Sequence, residues 1–253
     1  MHKLKINKLN IVSILIFIAI WQLSIFLFPM WHSFLSSPLD IIEKWYSLVL
    51  DNSLFVNVFS SLKLFIISFS LSFIFWFLLA LISFYSKFFY ETIKPYVFIL
   101  NSIPIVAFIP IFIIWFGFWD FSKIITIITI TFPWIFIATY DWMNNINKDI
   151  LHFARSFEIK WTGFVYNILF RWSVSHIFSG LKISVWKSII GLVLSEMFWY
   201  WIWLGYLLNI YTMSNDITWI MLVILILLFF NFVIIFLINI IQKIFFKSYK
   251  IWK

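Results

Sequence analysis

Apolar runs long enough to cross a bilayer follow one another along most of this chain, separated by short polar stretches. They fall at 11–28, 60–84, 94–118, 121–140, 183–208 and 217–241. A helix needs about 20 apolar residues to cross roughly 30 Å of hydrocarbon, so each run predicts a transmembrane helix. The interval 148–182 is different. It carries Lys148, Asp149, His152, Arg155, Glu158, Lys160, Arg171 and Lys182, too many charges for a bilayer span. Within it Ile150, Ala154, Phe157, Trp161, Phe164, Ile168 and Trp172 recur every three or four residues, the spacing of a helix with one apolar face. An amphipathic helical segment at the water's edge is therefore predicted between the last spans. Its apolar face suits either of two uses, lying on lipid headgroups or docking a soluble partner.

Composition agrees with this pattern. Of 253 residues 64% are hydrophobic and 11% charged, against about 25% charged in soluble domains. The net charge of +8 does not point to nucleic acid, because the basic residues sit at span ends. Fifteen of the eighteen Lys and Arg residues fall on one side of the predicted layout, and only Lys44, Lys63 and Lys123 on the other. Lys182 and Lys187 are counted with the larger group. That asymmetry places both termini and the 141–182 loop in the cytoplasm. Lys3, Lys5 and Lys8 before the first apolar run resemble the start of a signal peptide, but the run is long and no small-x-small site follows. It is read as a retained first span.

Much catalytic chemistry is missing. The chain has no cysteine, so it has no disulfide and no Cys-ligated metal. Its four histidines, His2, His32, His152 and His176, form no ligand pair on one span. There is no G-x-x-x-x-G-K-[ST] phosphate loop and no nucleophile–base constellation. No metal, no cofactor and no enzymatic activity are expected in this chain.

Some local features stand out. Ser37 can cap a helix opening at Pro38. The acidic stretch that follows, with Asp40, Glu43 and Asp51, suits an external face. Residues 1–59 thus comprise the first span and an external amphipathic segment, and 60–253 a membrane core. Pro104 and Pro110 lie six apart in the third run, just before Trp115 and Gly117. Paired prolines bend a helix, which suits either a kinked packing helix or one that borders a cavity. Glu196 is the one acid well inside a span. It is either functional or a structural acid near the outer end. Trp199, Tyr200, Trp201 and Trp203 read as an interfacial belt.

Several of these segments resemble the permeases of binding-protein-dependent ABC importers, in the branch that carries nitrate, sulfonates, taurine and thiamine precursors. The stretch 149–157 followed by 177–183 is similar to the family's cytoplasmic EAA loop. Ala154, Arg155, Ser156, Phe178, Gly180, Leu181 and Ile183 match its pattern. His152 stands for the family's Glu, Phe153 for its first Ala, Glu158 for its turn Gly, and Phe170-Arg171 for its Leu-Pro. A glycine turn permits positive φ, which Glu adopts only at a cost. The stretch 100–117 is similar to a family signature of paired prolines before Trp-Phe-Gly. Ser195-Glu196-Met197 and Leu204-Gly205-Tyr206-Leu207 resemble two further family strings.

The resemblance implies an all-α integral membrane protein with six transmembrane helices and a cytoplasmic amphipathic coupling-helix loop, the type I importer permease fold. It implies two ABC ATPase subunits, an extracytoplasmic substrate-binding protein and a second permease copy as partners, within the lipid bilayer. ATPase coupling would fall on His152, Phe153, Ala154, Arg155, Ser156, Phe157 and Glu158. The pore or gate would fall on Pro104, Pro110, Trp115, Gly117 and Glu196. A secondary transporter is the competing reading. It would need paired inverted repeats and embedded coupling charges. A membrane-embedded enzyme would need a polar cluster at one depth.

Overall fold

The computed structural model describes residues 8–50, 53–144, 156, 170–199 and 202–250. Every regular element among the described residues is helical. In chain order these are α1 (Lys8–Leu27), α2 (Pro38–Leu50), α3 (Ser53–Tyr85), α4 (Lys87–Ser102), α5 (Ile109–Phe116), α6 (Asp120–Asn144), α7 (Phe170–Met197), α8 (Leu204–Met213) and α9 (Ile217–Lys250).

Four of them contain stretches long and apolar enough to cross a membrane: Leu54–Tyr85, Asp120–Asp141, Ile177–Met197 and Ile217–Ile244. Counted as one broken span, α4 and α5 make a fifth. The apolar part of α1, Ile11–Leu27, is shorter, about 26 Å of helix at ~1.5 Å per residue. The six runs read from the sequence thus meet four continuous spans, one bent pair and one short helix.

The predicted boundaries shift in three places. The second helix begins at Ser53 rather than 60, absorbing the end of the expected external segment. The fifth run, 183–208, is two helices: α7 starts at Phe170 and stops at Met197, and α8 starts at Leu204. The interval 141–182 is trimmed at both ends, because α6 continues to Asn144.

The core sits where α3, α6, α7 and α9 meet. Leu64, Phe65, Ile127, Val185, Ile189, Leu192, Val223, Leu227 and Phe230 form one buried cluster. Ala80, Val97, Phe132, Phe136, Met143 and Ile177 form another toward the other ends of α3, α6 and α7. Lipid tails are as apolar as these side chains, so close packing and hydrogen bonds hold such helices together. Small residues accordingly line the contacts. Ser184 and Ser188 are buried on α7 and bond back to the carbonyls of Gly180 and Ser184, both at 2.8 Å. A Cβ on Gly180 would overlap the Ala138 methyl of α6. Ser72 of α3 and Thr131 of α6 share a buried hydrogen bond.

Outward-facing positions are strongly apolar. Ile66, Ile67, Ile74, Phe75, Leu78 and Ile82 of α3 are exposed, as are Phe229, Phe232 and Phe236 of α9. That much bare hydrocarbon is a seat for lipid.

The helix start read at Ser37 is realised as a capping box. Ser37 Oγ accepts the Asp40 N–H at 3.1 Å, and Asp40 Oδ2 accepts the Ser37 N–H at 3.2 Å. Ile41 and Leu48 of this α2 helix pack with Leu54 and Leu222, holding it against α3 and α9.

Candidate translocation site

Pro104 breaks the chain between α4 and α5. A residue before proline is pushed out of the α region, and Ile103 is extended at φ −84°, ψ 136°. Pro104 itself lies at φ −69°, ψ 91° and offers no N–H. A 3-10 turn, Ile105–Phe108, follows before α5 begins. The two helices meet at 94°. The expected span 94–118 is therefore an elbow.

The two prolines have different roles. Pro110 falls in the first turn of α5, where a missing N–H removes no helical bond. The sequence expectation that both prolines bend one helix is corrected on that ground: Pro104 makes the break and Pro110 opens the next helix. Gly117 ends α5. Its N–H bonds to the Ile113 carbonyl at 2.8 Å, and its φ of +77° is a conformation that favours glycine. Trp115 is 68% exposed, and Pro104 and Pro110 are exposed as well. Ile105, Ile109 and Phe112 turn inward.

Beside the elbow lies an open cavity of about 190 Å³. Its walls include Asn101, Ile103 and Ile105 from the elbow, Pro133 and Trp134 from α6, and Lys187 and Leu194 from α7. A second cavity of about 220 Å³ shares Asn101 and is lined by Tyr90, Lys94, Tyr140 and Asp141. The charge count placed Lys187 at the cytoplasmic edge. In the structure α7 begins well before 182, so Lys187 lies inside a continuous helix, ten residues before its Met197 end.

Glu196 is elsewhere, at the far end of α7, and is fully buried. Its Oε2 accepts the Gly205 N–H at 2.9 Å, and the Ser61 hydroxyl lies beside the same carboxylate. Gly205 is in the first turn of α8, so the acid receives a helix N-terminus. A Cβ on Gly205 would come within 2.6 Å of Glu196 Cβ, which accounts for glycine in Leu204-Gly205-Tyr206-Leu207. The Leu204 N–H donates to Ser61 Oγ at 3.0 Å, and Asn209 donates to the Met197 carbonyl at 2.9 Å.

Lys123 joins this cluster. It is 1% exposed and donates to Asp120 Oδ1 at 2.9 Å. Its ammonium also lies 3.6 Å from the Trp203 ring centroid and 4.4 Å from that of Trp199. Two members of the expected interfacial belt, Trp199 and Trp203, pack on this ammonium. Trp199 is buried, and both rings face a cation. Tyr200 and Trp201 lie outside the described residues.

Sequence reasoning singled out Glu196 but not Lys123, Lys187, Trp134 or Asn101. Lys187 had one visible signal, since it stands about one helical turn inside the apolar run that begins at 183. Of the proposed coupling residues, Ser156 is helical and exposed. His152, Phe153, Ala154, Arg155, Phe157 and Glu158 lie outside the described residues. Their expected companions do have a place: Gly180 and Leu181 pack where α7 meets α6, and Phe178 is buried.

The elbow, the long apolar spans and the Gly-dependent joints agree with a match to the binding-protein-dependent transport system inner membrane component family, over residues 74–251. The chain belongs to that family. It is an ABC-transporter permease subunit and a multi-pass membrane protein. The permease is 26% identical over 182 residues to a protein named as an aliphatic sulfonates transport permease, SsuC of Bacillus subtilis; the match covers 72% of this chain and 66% of that one. It is 29% identical over 196 residues to the nitrate import permease protein NrtB of Synechocystis, covering 74% and 70%. It is 25% identical over 191 residues to the formylaminopyrimidine transport permease protein ThiX of Halalkalibacterium halodurans, covering 76% and 73%.

Proposed function

We propose that this permease forms half of the translocation path of an ATP-driven importer, working as a homodimer in the inner membrane. An external binding protein delivers a small solute to it. Nitrate, a sulfonate and a formylaminopyrimidine are the solutes named for its relatives. ATP is hydrolysed on two separate ATPase subunits, which dock on the 141–182 loop. Both termini lie in the cytoplasm, a placement that the distribution of Lys and Arg supports.

The observation that carries this reading is the 94° elbow at Pro104 with an open cavity against it. Irregular backbone at membrane depth is tolerated where it lines protein or a water-filled cavity, and exposed to lipid it would leave polar groups unsatisfied. Pro104 thus borders the path, with Pro110, Trp115 and Gly117 on the α5 side of it. Glu196 acts more remotely, by fixing the outer joint between α7 and α8.

Coupling is the directly testable part. By its sequence spacing Phe157 falls on the apolar face expected of the loop helix, and burying one aromatic in a partner's groove is worth about 1.5–3 kcal/mol. Phe157→Asp removes that burial and introduces a charge. The variant is expected to insert in the membrane yet lose at least tenfold in co-purified ATPase, with uptake lost in parallel. Undiminished ATPase capture, with weaker membrane seating, would mean that this face lies on lipid.

A further inference from the structure

Resting on the reading of the elbow cavity as the solute path, we infer that Lys187 is a substrate-contacting residue that selects a small oxyanion within the membrane. Lys187 stands inside α7, ten residues before its Met197 end, about 15 Å of helix at ~1.5 Å per residue. An ammonium at that depth is costly, and such groups face a partner, a water-filled path or a ligand.

Its surroundings decide among these. Lys187 is half-buried, and its one recorded partner among the described residues is the Trp134 ring, 4.6 Å from Nζ to the centroid. The ring covers one side of the ammonium and accepts no directed hydrogen bond in the manner of a carboxylate. Among the described residues, no carboxylate lines the cavity that Lys187 shares with Asn101 and the elbow. A fixed cation, a side-chain amide and an apolar wall make a site for a small planar or tetrahedral oxyanion, which neutralises the charge and accepts from both donors.

The neighbouring cavity extends the same chemistry. It shares Asn101 and holds Lys94, whose Nζ lies 5.6 Å from the centroid of the Tyr90 ring, with Asp141 the one carboxylate among the described residues of its lining. Two aromatic-backed lysines along one route bind an anion weakly in succession, which lets it enter and leave. Lys123 makes the contrast, because it carries its own acid and could not serve an anion without breaking that pair.

The test uses the intact importer, co-expressed with its ATPase and binding protein, and measures uptake of nitrate labelled with ¹⁵N, radiolabelled methanesulfonate and radiolabelled formylaminopyrimidine. Wild type is expected to carry nitrate or methanesulfonate. Lys187→Gln should reduce that uptake at least tenfold with normal ATPase capture, and Lys187→Arg should keep at least a third of it. Asn101→Asp, which sets a carboxylate on the same wall and leaves Lys187 in place, should reduce it at least fivefold. Wild-type uptake of the anion by Lys187→Gln or Asn101→Asp overturns the inference. So does a wild-type importer that carries the neutral pyrimidine alone. Loss of the two-copy permease with Lys187→Gln, together with unchanged anion uptake by Asn101→Asp, would reassign Lys187 to the interface between copies. If wild-type permease captures no ATPase, the importer reading itself fails, and this inference with it.

Discussion

Lys123 and Lys187 both lie within apolar helices of this permease, and they are held in opposite ways. Lys123 is closed in on every side: Asp120 takes its proton-bearing nitrogen at 2.9 Å, and Trp199 and Trp203 flank it. Lys187 has one aromatic ring and an open cavity. A charge whose neighbours complete its bonding is part of the scaffold, because any visitor would have to displace them. A charge left with spare donors beside a cavity has room for a visitor. Depth in the membrane does not separate the two cases. What separates them is whether the protein itself supplies the counter-charge.

The same substitution at the two sites breaks or sharpens that contrast. Lys123→Met removes an ion pair and two ring contacts and leaves Asp120 unpaired at the edge of the span. It should lower stability by about 3 kcal/mol, visible as an earlier loss of monodisperse protein on heating in detergent. The Lys187→Gln variant should melt like wild type in the same assay. Equal losses at both sites would show that Lys187 is scaffold too.

Gly205→Ala probes the closed region from its other side. The new methyl would meet the Val193 carbonyl and the Glu196 side chain, so α8 must move off the carboxylate it caps. A cost of about 2 kcal/mol is expected for such overpacking, read by the same thermal assay. An unchanged midpoint would mean that the joint yields freely and that Glu196 is not fixed by it.

Pro104→Ala acts in the open region and should barely touch stability, by less than about 1 kcal/mol, since it restores an N–H and removes a ring from an exposed position. Solute uptake per ATP hydrolysed should fall severalfold, because a straighter α4–α5 connection no longer borders the cavity. Normal coupling in this variant would reduce the elbow to a packing kink.

The membrane class of this chain, the loop interrupting its spans and the glycine-marked joints are legible in the sequence, because hydrocarbon length, charge exclusion and positive φ each leave a residue-level mark. Pro104 announces a break in the same way. What is not legible is which charges meet. Lys123 lies 73 positions before Glu196 in the chain, and only the packing of α6 on α7 brings them into one cluster. Lys187 reads as a basic span end until the helix is seen to start at Phe170, which moves it by several turns. Pro110 was legible as a residue and not as a role, since a proline bends a helix or begins one according to where the preceding element stops.

The near-square corner at Pro104 also has a mechanical side. A straight rod pushed along its axis can only slide, whereas a bent rod turns that push into sideways travel of its short arm. The short arm here is α5, eight residues long, or about 12 Å at ~1.5 Å per residue. A rotation of the long arm by roughly 10° would sweep the tip of α5 by about 2 Å, comparable to the small interface helix shifts that switch other proteins. Motion begun at the Lys87 end of α4 therefore arrives beside Trp115 as a change in width rather than in height.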